Sequence, residues 1–204
     1  ERFGKDFITT LAREDKTYGK ILIQPLINRS TASLSMVGLG KVGSETLIMS
    51  YGRNFICVLF WYGLTGGVGA FLYRMTVELS RAWSPSRKQY SSFGQMATRT
   101  VALLDLVPMR LFAIVITLGR RALATIQLIK LQAKSWPLPG PSWLMVSVGA
   151  KLQLSLGGPA IYQRRKSIRA KVGGRIAPSA IHVAQVHQLL KQKCYIWVLT
   201  QSII

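Results

Sequence analysis

Long apolar runs closed off by basic residues set the pattern of this chain, and the first run is the most telling. Residues 54–73, NFICVLFWYGLTGGVGAFLY, are twenty successive positions without a charge, with Arg53 at one end and Arg74 at the other. At about 1.5 Å per residue a helix of that length reaches roughly 30 Å, the depth of a bilayer's hydrocarbon core, so the pattern predicts a membrane span. A second run, residues 100–119 (TVALLDLVPMRLFAIVITLG), lies between Arg99 and the pair Arg120 and Arg121. It predicts a second span or, failing that, an amphipathic helix packed beneath the membrane. Asp105, Pro108 and Arg110 interrupt it, and charges inside a span must face protein, water or one another. Asp105 and Arg110 are five positions apart, about 140° around a regular helix and poorly placed to pair. Pro108 offers no donor to the carbonyl of Leu104 and is expected to kink the helix.

The remaining segments read less sharply. Before the first run, Leu39, Val42, Thr46 and Leu47 share one helical face and leave Lys41 and Glu45 on another, an amphipathic helix leading to the membrane. Residues 74–99 read as a basic, Ser-rich connector, and 120–134 as a helix carrying Arg120, Arg121, Lys130 and Lys134. After Pro137, Pro139 and Pro141 comes WLMVSVGAKLQLSLGG, broken by Lys151 and ended by Gly157, Gly158 and Pro159, which predicts a short or re-entrant helix. Residues 195–204, with Trp197, are too short to cross alone and read as an interfacial anchor or the start of a longer helix. The expected fold is therefore all-α: a polytopic helical membrane protein with cytoplasmic amphipathic helices. If both main runs span, residues 1–53 and those from 120 onward share a side. The basic excess of the longer tract favours the cytoplasm for it, the five bases Arg74, Arg81, Arg87, Lys88 and Arg99 argue for the opposite side, and both topologies stay open.

Composition supports lipid as the surrounding medium. The 204 residues are 49% hydrophobic and 17% charged, which excludes a disordered tail. The net charge is +20, and of seven acids only Glu78 and Asp105 follow the first run, against twenty Lys and Arg from Arg53 onward. Such a balance would suit phosphate neutralisation on nucleic acid, but no nucleic-acid fold signature accompanies it and the bases sit beside apolar runs. Anionic lipid head groups are the expected partners, and nucleic acid is not. Cys57 and Cys194 are the only cysteines, so neither a disulfide framework nor a zinc site is implied. The chain opens on Glu1 rather than Met, as expected of numbering that starts partway into a longer protein.

Other motifs reduce to packing. Residues 38–43 match G-x-G-x-x-G, but a dinucleotide site needs an acid about twenty residues on, and CVLFWYG stands there instead. A flexible turn or close packing is the expected role. His182 and His187, five positions apart with no acid near in sequence, read as surface or packing residues. Met96, Met109 and Met145 need only core packing, and Gly63, Gly66, Gly67 and Gly69 suit close approach of another helix. The cluster RRKSIRAKVGGR, residues 164–175, reads as a solvated loop, with phosphate binding left open because no acids compensate it.

Several stretches taken in order resemble the CobD/CbiB family of cobalamin biosynthesis and the related AmpE-like membrane proteins. They are ETLIMSYGRNFICVLFWYGLTGGVGAFLYRM from Glu45, FGQMATRTVALLDLVPMRL from Phe93 and LGGPAIY from Leu156. The resemblance covers most of residues 40–162 and implies a single integral-membrane domain over 1–204, short of further terminal segments, in a multi-pass protein of the bacterial inner membrane. It also implies an ancestral ATP-dependent amide ligation that joins an aminopropanol arm to adenosylcobyric acid. ATP and Mg²⁺ follow only if that activity is retained.

Departures fall where acids are expected. Family carboxylates are replaced by Met49 and Arg53 in ETLIMSYGRN, by Ser80 in VELSRA, by Val101 and Ala102 in RTVA, and by Met145 in LPGPSWLM, where Gly140 also replaces an Asn. The acids that remain, Glu45, Glu78 and Asp105, are the candidate catalytic residues. Arg53, Arg74, Arg99 and Arg110 are the candidate clamps for a corrinoid or phosphate ligand, and metal ligands stay unassigned. The alternative is a noncatalytic AmpE-like sensor, assembly or interaction protein that meets a membrane-protein partner or a second copy of itself. A buried pocket collecting Glu45 with those arginines favours the first reading, and dispersed bases around an apolar interior favour the second.

Overall fold

The computed structural model describes residues 2–85, 88–90, 93–119, 121–136, 138–162 and 165–201. Glu1, Arg87, Arg120, Pro137, Arg164 and residues 202–204, all part of the expectations above, lie outside them. Eight helices and one two-stranded sheet follow in order among the described residues: α1 (Arg2–Ala12), α2 (Lys16–Ile23), α3 (Met36–Tyr51), α4 (Cys57–Ala82), α5 (Phe93–Thr117), α6 (Ala122–Gln132), α7 (Pro139–Lys151), β1 (Ser155–Tyr162), β2 (Arg165–Gly173) and α8 (Ala180–Gln201). A π-helical turn, Gly52–Ile56, carries α3 into α4.

Local chemistry explains the starts. Asp15 accepts from the Tyr18 amide at 2.9 Å to open α2, and Ser35 accepts from the Gly38 amide at 3.1 Å to open α3. Pro139 stands in the first turn of α7, where a missing N–H loses nothing. α7 is apolar on every side and nearly every residue of it is buried, as expected of a helix at the centre of a core. It packs mainly on α5, while α8 lies on α1 and α3. Residues 38–43 sit inside α3, and a side chain on Gly40 would meet the Pro178 carbonyl and one on Gly43 the Phe7 ring. The G-x-G-x-x-G spacing is therefore a packing device.

The first apolar run is not a straight rod. Gly66 breaks α4 with φ 70° and ψ −161°, a conformation open essentially to glycine alone. Asn54 and Arg74 would stand about 30 Å apart in one unbroken helix, yet Arg74 Nη1 donates to Asn54 Oδ1. A Cβ on Gly69 would lie 3.3 Å from the Trp61 carbonyl oxygen, eight residues back and about 12 Å away in a regular helix. The chain thus doubles back at Gly66 into two antiparallel arms. Of the glycines expected to admit another helix, Gly69 faces the other arm of the same hairpin, Gly63 lies near the Gln201 side chain of α8, and nothing packs on Gly66 or Gly67.

Several boundaries also move. Residues 74–82 extend α4 and 93–99 begin α5, so the connector expected over 74–99 is short. α5 runs through Pro108 without interruption. Residues 195–201 end the 22-residue α8, whose buried Trp197 meets Phe112 edge-on at 6.0 Å. Glu45 is buried rather than turned to a polar face.

The all-α expectation holds except for one ribbon. β1 and β2 pair antiparallel with Leu156 opposite Val172, and the register shifts between Gly157 and Pro159. The helix expected to reach Gly158 stops at Lys151, and the cluster read as a solvated loop supplies β2. Leu154, Leu156 and Val172 are buried, a period-2 pattern too short to stand out beside the preceding apolar helix. Among the described residues two segments, Met36–Ala82 and Phe93–Thr117, are by length and composition apolar enough to cross a membrane, the first with the reversal at Gly66 inside it.

Candidate functional site

Two buried carboxylates organise the polar interior. Glu45, on the inner face of α3 and 6% exposed, accepts from three donors. Its Oε2 takes Arg29 Nη2 and Arg169 Nη2, each at 3.1 Å, and its Oε1 takes the Gly157 amide at 2.9 Å. Gly157 has φ 79°, and that left-handed turn at the register shift aims its N–H away from the ribbon. Arg169, from β2, also lies 5.2 Å over the Trp136 ring, a stacking that a guanidinium makes better than an ammonium. One carboxylate therefore ties the chain near residue 29, helix α3 and both strands.

Asp105, wholly buried in α5, is the second centre. Arg53 Nε donates to Oδ2 at 2.9 Å, while the Tyr73 hydroxyl at 2.6 Å and the Cys57 thiol at 3.7 Å both converge on Oδ1. The π turn supplies Arg53, the first arm of α4 supplies Cys57 and the second arm supplies Tyr73. This resolves the difficulty of a charge within an apolar helix: the partner of Asp105 is Arg53, presented by the π turn, and not Arg110.

The other predicted site residues lie apart. Glu78 is half exposed on the second arm, 2.6 Å from Arg74 Nη2 and 3.8 Å from Arg81 Nη1. Arg110 stacks on the Trp143 ring of α7 at 5.1 Å, and Arg99 is exposed on α5. The structure thus joins Arg53 to Asp105 and Arg74 to Glu78, and gathers none of the four predicted clamps around Glu45. The residues that do surround Glu45, namely Arg29, Arg169 and Gly157, were not foreseen. Only the LGGP motif signalled Gly157, and nothing in the sequence marked Arg29.

The remaining acids do not fit a Mg²⁺ site. Each of the three carboxylates is held by arginine, they share no ligand shell, and among the described residues no group of three His, Cys, Asp or Glu could hold a metal ion. A Mg²⁺ bound for phosphate chemistry needs a carboxylate with a free oxygen facing the substrate. A cleft of about 210 Å³ between α1 and α2, lined by Asp6, Thr9, Thr10, Arg13, Asp15 and Tyr18, contains none of the predicted site residues.

The far end of α5 is fastened by lysines. Lys151 Nζ donates to the carbonyls of Thr117 at 3.2 Å and Leu118 at 3.0 Å, and Lys193 Nζ to Leu118 at 3.3 Å. Cations there complement the helix dipole. Burial first, and Lys193 second, lower the pKa of Lys151. Burial alone pushes the Cys194 thiol up to about 12, which marks it as an inert packing residue.

Comparison with known proteins finds relatives of one kind. The chain is 28% identical to the cobalamin biosynthesis protein CobD of Stutzerimonas stutzeri (strain A1501), over 93% of this chain and 62% of the relative. It is 26% identical to the protein of the same name from Chromobacterium violaceum, over 92% and 60%, and 26% identical to that of Halalkalibacterium halodurans, over 72% and 48%. The chain thus spans about three fifths of the length of the first two relatives. No solved structure matches it. The family profile described as CobD/Cbib protein matches residues 1–191, nearly the whole chain, and two helices long and apolar enough for a bilayer accompany it: the chain belongs to the CobD/CbiB family, and a membrane location is supported.

Proposed function

We propose that this chain is a membrane component of the CobD/CbiB family that has given up metal-dependent amide ligation and serves as a binding or assembly scaffold, in the manner of an AmpE-like protein. One observation carries this reading: each surviving acid is engaged by arginine, and both oxygens of Glu45 already accept from protein donors. A carboxylate so held can neither coordinate Mg²⁺ nor abstract a proton until its ion pair opens, and opening a buried pair costs about 3–5 kcal/mol.

Retained recognition of an anionic ligand is compatible with the scaffold role. Arg29 and Arg169 contact Glu45, and Lys41 lies close enough to feel the charges of both Glu45 and Lys171, so one carboxylate stands among four cations. A corrinoid carboxylate or a phosphate is the ligand class that such an excess would draw. The setting is the bacterial inner membrane, with α5 as a crossing helix.

Purified protein in detergent, given ATP, Mg²⁺, adenosylcobyric acid and aminopropanol, is expected to form no amide product. Turnover that disappears in Glu45→Ala would overturn the reading. Binding of the corrinoid without turnover would establish inherited recognition separately from catalysis.

A further inference from the structure

The α4 hairpin leaves an apolar surface that no part of the described chain covers. Tyr62, Leu64, Val68 and Phe71 flank its apex and are all at least 60% exposed, and no charged residue stands between Arg53 and Arg74. A patch of this kind in water would draw partners or aggregate. In lipid it is the expected face, and α5, the helix that α4 packs against, carries an exposed apolar stripe of its own at Leu103, Val107, Leu111 and Ile114.

Length decides how the hairpin can meet a bilayer. From the hydrogen-bonded base at Asn54 and Arg74 to the apex at Gly66 is twelve residues on one arm and eight on the other. These arms reach about 18 Å and 12 Å, and a hydrocarbon core is about 30 Å deep. Neither uncharged stretch crosses, and below the base each arm continues as helix that carries charge, Arg53 on one side and Arg74, Glu78 and Arg81 on the other. The apex also leaves the last carbonyls of one arm and the first amides of the other without helical partners, and hydrocarbon cannot satisfy them. Tyr62, exposed one helical turn before the apex, is of the aromatic type that settles at the membrane–water boundary. Charged base and aromatic apex thus both prefer the interface, and the apolar sides between them prefer acyl chains.

We propose that residues 57–72 form a single-leaflet hairpin, embedded at the boundary between head groups and acyl chains of one membrane face, with both flanking segments leaving on that same face. The occupant of the exposed surface is the lipid surface itself. The twenty-residue apolar run then contributes no crossing, and α3 and the 74–85 segment lie on one side.

Single cysteines on the full chain in nanodiscs and oriented vesicles test this, with Cys57 and Cys194 replaced by Ala in the background. A membrane-impermeant maleimide should label Val37→Cys and Ala82→Cys from the same face and neither from the other. A bimane on Val68→Cys should be quenched by spin labels near the head group more than by labels deep in the chain. Labelling of the two flanks from opposite faces overturns the proposal. So does stronger quenching by the deep label, and so does a disulfide-linked dimer through Val68→Cys without lipid quenching, which would give the face to a second copy. The three labelled positions are exposed, whereas Cys57 and Cys194 are buried, so the cysteine-free background must first match the thermal midpoint of the native chain in detergent. A Gly67→Ala variant labelled in parallel should keep the same sidedness.

Discussion

Asn54 and Arg74 are twenty positions apart in sequence and hydrogen-bonded in space. The reversal that joins them rests on one backbone conformation. Gly66 has φ 70° with no atom near the place where a Cβ would sit, so Gly66→Ala introduces strain without a clash. The expected loss is about 1–3 kcal/mol, read as a lowered thermal midpoint in detergent. Gly67→Ala, in the second arm with equally open space, is expected to be neutral or mildly stabilising, since Ala is the better helix former.

Asp105→Asn should be among the most harmful single changes. It removes the charge that compensates the partly exposed Arg53 and weakens the acceptor that the buried Tyr73 hydroxyl uses, while keeping shape, for an expected loss of about 1–3 kcal/mol. Adding Arg53→Met to that variant should recover part of the loss. A double-mutant cycle by thermal unfolding in detergent measures the recovery, and simple additivity would mean the two residues are not coupled.

Glu45→Gln should loosen the ribbon more than the helices. Without its carboxylate, Arg29 and Arg169 repel each other, and the Gly157 amide keeps only a neutral acceptor. Hydrogen exchange should rise over 155–173 while α7 stays protected. A uniform rise over all elements would show that Glu45 supports the whole core instead.

Cys194 predicts a pH dependence. Its folded pKa, about 12 because of burial, exceeds the unfolded thiol value of about 8.5. For a group raised in the folded state, the stabilisation is complete below the unfolded value and is lost as pH climbs toward the folded one. Between about pH 8.5 and 12 the native chain should therefore lose stability more steeply than Cys194→Ala, in thermal melts taken across that window. Equal slopes would mean the thiol reaches water in the folded state.

The sequence displayed its helices because apolar periodicity over twenty residues is a strong signal, and the positions of α3, α5 and α6 followed from it. Gly66 was visible as a residue but not as a reversal, since nothing local distinguishes a glycine that packs a helix from one that bends the chain back. The ribbon was hidden for a related reason: Leu154 and Leu156 continue the apolar character of α7, and two buried positions are too few to display the change of period that begins there. Of the site, Asp105 and Arg53 were recognised separately and paired only by the fold. Arg29 and Arg169 were invisible as partners of Glu45 because they lie 16 and 124 positions away.

That last separation has a consequence in time. Ribosomes add about 5–20 residues per second, so roughly 6–25 s pass between the emergence of Glu45 and that of Arg169. Over this interval α3 exists with its acid only partly compensated, held by Arg29 without the second guanidinium or the Gly157 amide. The clasp around Glu45 is therefore a late closure, and nascent chains interrupted before β2 should be the ones most readily recognised and degraded by the cell's quality control.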